Sequence, residues 1–117
     1  MSVLGDVRAE KALIGGLLID PDALEAVAGI VALEDFTRPA GRAIYAAMLA
    51  LHDRGMAVDY VTVASEIERG PGFAAIGGPA TLAGLINECP TSLHVQTYAK
   101  RVKEASLAPP FKGAVQI

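Results

Sequence analysis

Apolar residues recur three and four positions apart along this chain, and no segment shows the alternation of a half-buried strand. That spacing lines one stripe of a helix, and the stripe needs another helix to cover it. The expected fold is therefore all-α, a compact bundle of about six helices. Hydrophobic residues make up 52% of the chain, yet aromatic residues supply only 5% and there is no Trp. The core must be built from Ala, Leu, Ile and Val, whose small side chains let helices approach closely. A length of 117 residues suits one domain with a real core.

The first helix is expected from Asp6, a plausible N-cap, to Ile19, with Leu13, Ile14, Leu17 and Leu18 on one face. Gly15-Gly16 inside it lowers helix propensity by about 1 kcal/mol per glycine, which suggests either a close helix approach or a kink. Asp20-Pro21 reads as an N-cap followed by proline at the first helical position, and Leu24, Val27, Ala28 and Val31 continue a stripe. Leu33 to Phe36 reads as a short turn anchoring Phe36 in the core. The third helix begins near Pro39 and ends at Gly55, burying Ile44, Met48 and Leu51. A fourth carries Tyr60, Val63, Ala64 and Ile67 behind the cap Asp59. Leu82, Leu85 and Ile86 mark a fifth, and Val95, Tyr98, Ala99 and Val102 a sixth, capped by Thr91 or Ser92. The expected core is Leu13, Leu17, Phe36, Ile44, Met48, Leu51, Leu85 and Tyr98. Pro109-Pro110 cannot continue a helix, so residues 1–105 are read as the domain and 106–117 as an extended or disordered tail.

Formal charge is −3, which argues against a dedicated nucleic-acid binder. The charge is segregated. Residues 1–36 set Arg8 and Lys11 against seven acids, while residues 94–117 set Lys100, Arg101, Lys103 and Lys112 against Glu104. That asymmetry reads either as solvated acidic and basic surfaces or as a device to orient partners. Cys89 is the single cysteine, which fits a reducing cytoplasm. The start, Met1 to Arg8, lacks the pattern of a secretory signal, and no apolar run reaches the ~20 residues of a membrane span.

No catalytic constellation is legible. The glycine pairs lack the following Lys-Ser/Thr of a phosphate loop. Cys89, His52 and His94 are too few for a zinc site, and Cys89 with His94 reads as a buried thiol and a surface histidine. Glu34-Asp35, Asp20 with Asp22, and Glu66 with Glu68 sit at turns or caps, where acids favour helix starts. No metal or other cofactor is expected. Arg38 and Arg42 lie one turn apart and Lys100, Arg101 and Lys103 form a second basic cluster, without the exposed aromatics a single-strand binder stacks on.

From about Ala9 to Glu104 the chain resembles the N-terminal domain of the DnaB-type replicative DNA helicases. The resemblance is carried by an ordered set: Ala9-Glu10, Leu13-Ile14-Gly15, Leu17-Leu18, Asp20-Pro21, Asp35-Phe36, Ile44-Tyr45 and the run from Met48 to Gly55. It continues through Val58-Asp59, Val61-Thr62-Val63, Ile76-Gly77-Gly78, Pro90-Thr91, Val95, Tyr98-Ala99 and Val102-Lys103-Glu104. Gly41 and Thr81 depart from the family's usual histidine and tyrosine and are expected to loosen local packing. The resemblance implies a non-catalytic module that forms a collar with copies of itself and docks primase or a helicase loader in bacterial or phage replication. It also implies that the ATPase domain of such helicases lies outside this chain. Gln96, Lys100, Arg101 and Lys103 on the sixth helix are the candidate docking residues, because that helix has a polar outer face. The alternative is a helical DNA-binding accessory module using Arg38, Arg42 and the Lys100–Lys103 cluster.

Overall fold

A computed structural model describes residues 6–70, 83–84, 86–89 and 94–107. Five helices are defined among them: α1 (Val7–Ile19), α2 (Leu24–Ala28), α3 (Pro39–Asp53), α4 (Tyr60–Glu68) and α5 (Val95–Leu107). Short 3-10 turns at Pro21–Ala23 and Leu33–Asp35 link α1 to α2 and α2 to α3. Residues 83, 84, 86 and 87 are also helical. No described residue is in a strand. The all-helical class is the one the periodicity requires. The expected helix caps at Thr91 and Ser92, the turns at Gly70-Pro71-Gly72 and Ile76–Pro79 (beyond Gly70), Thr81, Leu82, Leu85 and the tail from 108 onward lie outside the described residues.

α1 runs unbroken through Gly15 and Gly16, and both are buried. Its N-cap is Asp6, whose carboxylate accepts the Ala9 N–H at 3.2 Å. α1 packs most extensively on α5, and α3 packs on α4, α1 and α2. Leu13, Leu17, Leu24, Val27, Phe36, Tyr45, Met48 and Val63 are wholly buried, and Ala99 and Val102 close the core from α5. Ile44 and Leu51 are also buried, whereas Tyr98 is only half-buried at the core's edge.

Phe36 and Tyr45 stack with ring centroids 4.9 Å apart, a contact of the kind worth about 0.5–1.5 kcal/mol beyond burial. The Tyr45 hydroxyl donates to the Val31 carbonyl at 2.9 Å. Burial, and secondarily the charge on Asp35, push that phenol up to about 12, so it remains a donor. Gly41 lies close against the Phe36 ring. A Cβ there would lie 3.2 Å from Phe36 Cδ2 and 3.6 Å from Ile14 Cδ1. The expectation of loosened packing is corrected: the ring sits against the glycine backbone, and a side chain would press on it.

Three sequence expectations fail for local reasons. Asp20 occupies the N-cap position but makes no side-chain cap bond; its backbone N–H instead closes α1 on Gly16 O at 2.8 Å. Ala28 is exposed at the end of the short α2, where the chain turns away before Val31 re-enters the core. Tyr60, the first residue of α4, is 47% exposed, because the inward stripe of that helix starts at Val63.

The end of α3 is a left-handed glycine cap. Gly55 has φ +71°, its N–H bonds His52 O at 3.0 Å, and the Met56 N–H bonds Leu51 O at 2.9 Å. Nothing lies within 4 Å of a Cβ at this position, so sterics with neighbours are irrelevant and only backbone strain counts. Gly55→Ala is expected to cost about 1–2 kcal/mol in urea unfolding without altering the helical circular dichroism.

Candidate interaction surface

α5 presents its apolar stripe of Val95, Ala99 and Val102 to the core, which leaves most of its circumference polar apart from Tyr98, Ala105 and the exposed Leu107. Gln96 and Lys100 are exposed on that outer face. The other two docking candidates are tied to the protein's own acids. Arg101 Nε donates to Asp6 Oδ2 at 2.9 Å, and Lys103 Nζ to Asp35 Oδ2 at 3.1 Å. Part of the charge segregation read from sequence is therefore met within the fold, since Arg101 and Lys103 of α5 pair with two acids of the first part of the chain.

Asp35 is 4% exposed and fully engaged. Besides Lys103 it accepts the Ser106 hydroxyl at 2.6 Å and the Ala32 N–H at 2.8 Å. Burial alone would raise its pKa, but the bonds from Ser106, Ala32 and Lys103 outweigh burial and hold it below the ordinary 3.8. Asp6 follows the same balance: burial opposes ionisation, while the Ala9 N–H, Arg101 and Arg8 bring its value down. Both carboxyls are depressed in the fold. Their stabilisation is thus present above the unfolded value near 3.8 and lost as pH falls through the folded values. The urea midpoint is expected to drop on acidification below that point, and Asp35→Asn to show a shallower drop. An unchanged acid slope in the variant would contradict the assignment.

Glu10 is the second buried acid, 2% exposed. Its carboxylate accepts the Thr37 hydroxyl at 2.7 Å and the Thr37 N–H at 3.2 Å, which pins the approach to α3 onto α1. Sequence reasoning did not single out Glu10, although a signal exists: it shares the spacing of Leu13, Ile14 and Leu17.

The remaining candidates are dispersed. Arg42 Nη2 donates to the Phe36 carbonyl at 2.8 Å. Arg38 lines a shallow depression with Lys11, Gly41 and Cys89, whereas Lys100 and Arg101 line a different groove, so the two basic clusters do not form one surface. Asp59 caps α4 by accepting the Thr62 N–H at 2.8 Å, and Thr62 Oγ1 accepts the Asp59 N–H at 2.9 Å. Glu66 is held by Arg54 at 2.6 Å and Arg69 at 3.0 Å, and those bonds bring it down to about 2. Burial pushes the Cys89 thiol up, away from the thiolate a nucleophile needs, and His94 is exposed just ahead of α5. His52 lies in the last turn of α3, where a cationic imidazole would suit the helix dipole. Among the described residues no group of three or more His, Cys, Asp or Glu is placed to hold a metal ion. No helix among them is long and apolar enough to cross a membrane.

The second groove lies between α1 and α5 and is open, with a volume of about 570 Å³. α1 contributes Arg8, Ala9 and Ala12 to it, and α5 contributes Tyr98, Lys100 and Arg101. Asp6 and Glu104 also line it.

The described residues form an all-helical domain, residues 4–104 match the DnaB-like helicase N-terminal domain, and the chain belongs to that family. The replicative DNA helicase DnaC of Bacillus subtilis is 37% identical over 87% of this chain, and the replicative DNA helicase DnaB of Geobacillus stearothermophilus 40% identical over 86%. The aligned part is 22% of the length of each of these curated relatives. Among solved structures, the N-terminal domain of DnaB helicase from Mycobacterium tuberculosis superposes with a TM-score of 0.80 at 36% identity, covering 98% of this chain and 81% of that one. The N-terminal domain of DnaB helicase from Helicobacter pylori, described with its interactions with primase, shares the fold at a TM-score of 0.71 and 18% identity, over 93% of this chain and 85% of that one.

Proposed function

We propose that this chain is the non-catalytic interaction domain of a replicative DNA helicase, pairing with copies of itself in a collar and docking primase or a helicase loader in the cytoplasm. The observation that carries the reading is the alignment of nearly the whole chain with the amino-terminal 22% or so of replicative helicases, rather than with their remaining length. The Helicobacter domain, described with its primase interactions, supports primase as the partner. Gln96 and Lys100 are the first residues to test for docking, because they are exposed on α5 and engaged by no described acid. Arg101 and Lys103 contribute mainly by holding α5 in place, with the outward part of Arg101 still open to a partner.

Sedimentation velocity over a concentration series is expected to show reversible self-association, and titration with primase a saturable complex. The chain alone is expected to hydrolyse no ATP. A strictly monomeric profile at high concentration together with no primase binding would overturn the reading.

A further inference from the structure

We propose that the groove between α1 and α5 docks a short acidic peptide segment bearing a large apolar side chain. The inference rests on the interaction-domain reading and adds a place and a chemistry to it. Charge complementarity is the first reason. Neither Arg8 nor Lys100 makes an ion pair with a described residue, and both are exposed. Arg101 bonds Asp6 through Nε, yet its side chain remains 63% exposed. Asp6 is engaged by Arg101 and the Ala9 N–H and is largely covered. The groove therefore carries an excess of cations in a chain whose net charge is −3.

The shape is the second reason. Ala9 and Ala12 are too small to fill the space between the helices, and the half-buried Tyr98 supplies an aromatic wall. About 570 Å³ accommodates one large apolar side chain with a few flanking residues. Such a ligand sets its apolar group against Tyr98 and the alanines and its carboxylates against Arg8, Lys100 and Arg101. A nucleic-acid strand fits less well. Glu104 interrupts the cationic surface, and among the described residues Tyr98 is the sole aromatic lining the groove, whereas strand binding needs a continuous basic track with repeated stacking.

The test uses a fluorescein-labelled peptide with several Asp and Glu residues around one Phe, measured by anisotropy. It is paired with amide shift mapping on isotopically labelled protein. Saturable binding is expected, with shifts concentrated at Arg8, Ala9, Ala12, Tyr98 and Lys100. Combined Arg8→Glu and Lys100→Glu should weaken binding by about tenfold or more, as should replacing the peptide's acids by their amides. Both residues are exposed and make no ion pair with a described residue, and Arg8 acts on Asp6 only through space, so the variant is expected to melt within a few degrees of the parent. Arg69→Glu, outside the groove, should leave binding unchanged. Absent binding, binding insensitive to the double reversal, or a single-stranded oligonucleotide shifting these amides where the peptide does not would each overturn the proposal. Primase titration separates the two readings. Primase binding without peptide binding removes the groove proposal alone, and peptide binding without primase binding or self-association removes the docking reading alone.

Discussion

Phe36→Ala is expected to destabilise the domain by about 3–5 kcal/mol, the largest loss from any single truncation in this core. Phe36 is fully buried, stacks on Tyr45 and lies against the Gly41 backbone. Its neighbours cannot collapse into the void easily. Tyr45 is held by its hydroxyl bond to Val31, and α3 is fixed by the Arg42 bond to the Phe36 carbonyl. A chain of this length has about 6–17 kcal/mol of total stability, so the variant would lose a large share of it. Urea unfolding followed by circular dichroism checks this. A loss under about 1.5 kcal/mol would show that the site repacks.

Asp35→Ala should cost about 2–3 kcal/mol and lower the melting temperature by roughly 10 °C. Breaking a fully buried pair typically costs about 3–5 kcal/mol, but Lys103 retains 38% exposure and can turn to solvent, which reduces the figure. The Ser106 hydroxyl and the Ala32 N–H lose their acceptor as well. Asp35→Asn keeps the local Ala32 bond and should cost about half as much. A double-mutant cycle with Lys103→Met isolates the ionic part. Equal losses in Asp35→Ala and Asp35→Asn would mean that the charge carries the attachment and the hydrogen bonds do not.

α3 was the most legible element, because proline near its start and glycine at its end are backbone signals that act locally. Asp6 and Asp59 were legible as caps for the same reason. Tyr60 and Tyr98 were read too far inward, since helical spacing marks a stripe without stating where its edge falls. Glu10 and Asp35 were not foreseen as buried, because a carboxylate's partners can lie anywhere in the chain. Thr37 is 27 positions from Glu10, and Lys103 and Ser106 are 68 and 71 from Asp35. The docking candidates on α5 shared that blindness: their type and helix were readable, but the acids that engage Arg101 and Lys103 were not. Family likeness was carried by the ordered core and cap residues, which local rules make visible. The α1–α5 groove, assembled from residues about ninety positions apart, was not.

That distance matters while the chain is being made. α1 leaves the ribosome well before its most extensive partner, α5, which lies about ninety positions later in the sequence. At about 5–20 residues per second, several seconds pass between their synthesis. Throughout that interval Leu13 and Leu17 lack the α5 side of their cover, and Asp6 lacks Arg101. Final closure of the core therefore waits until α5 has been made, and a chain cut short before α5 would leave one face of α1 sticky.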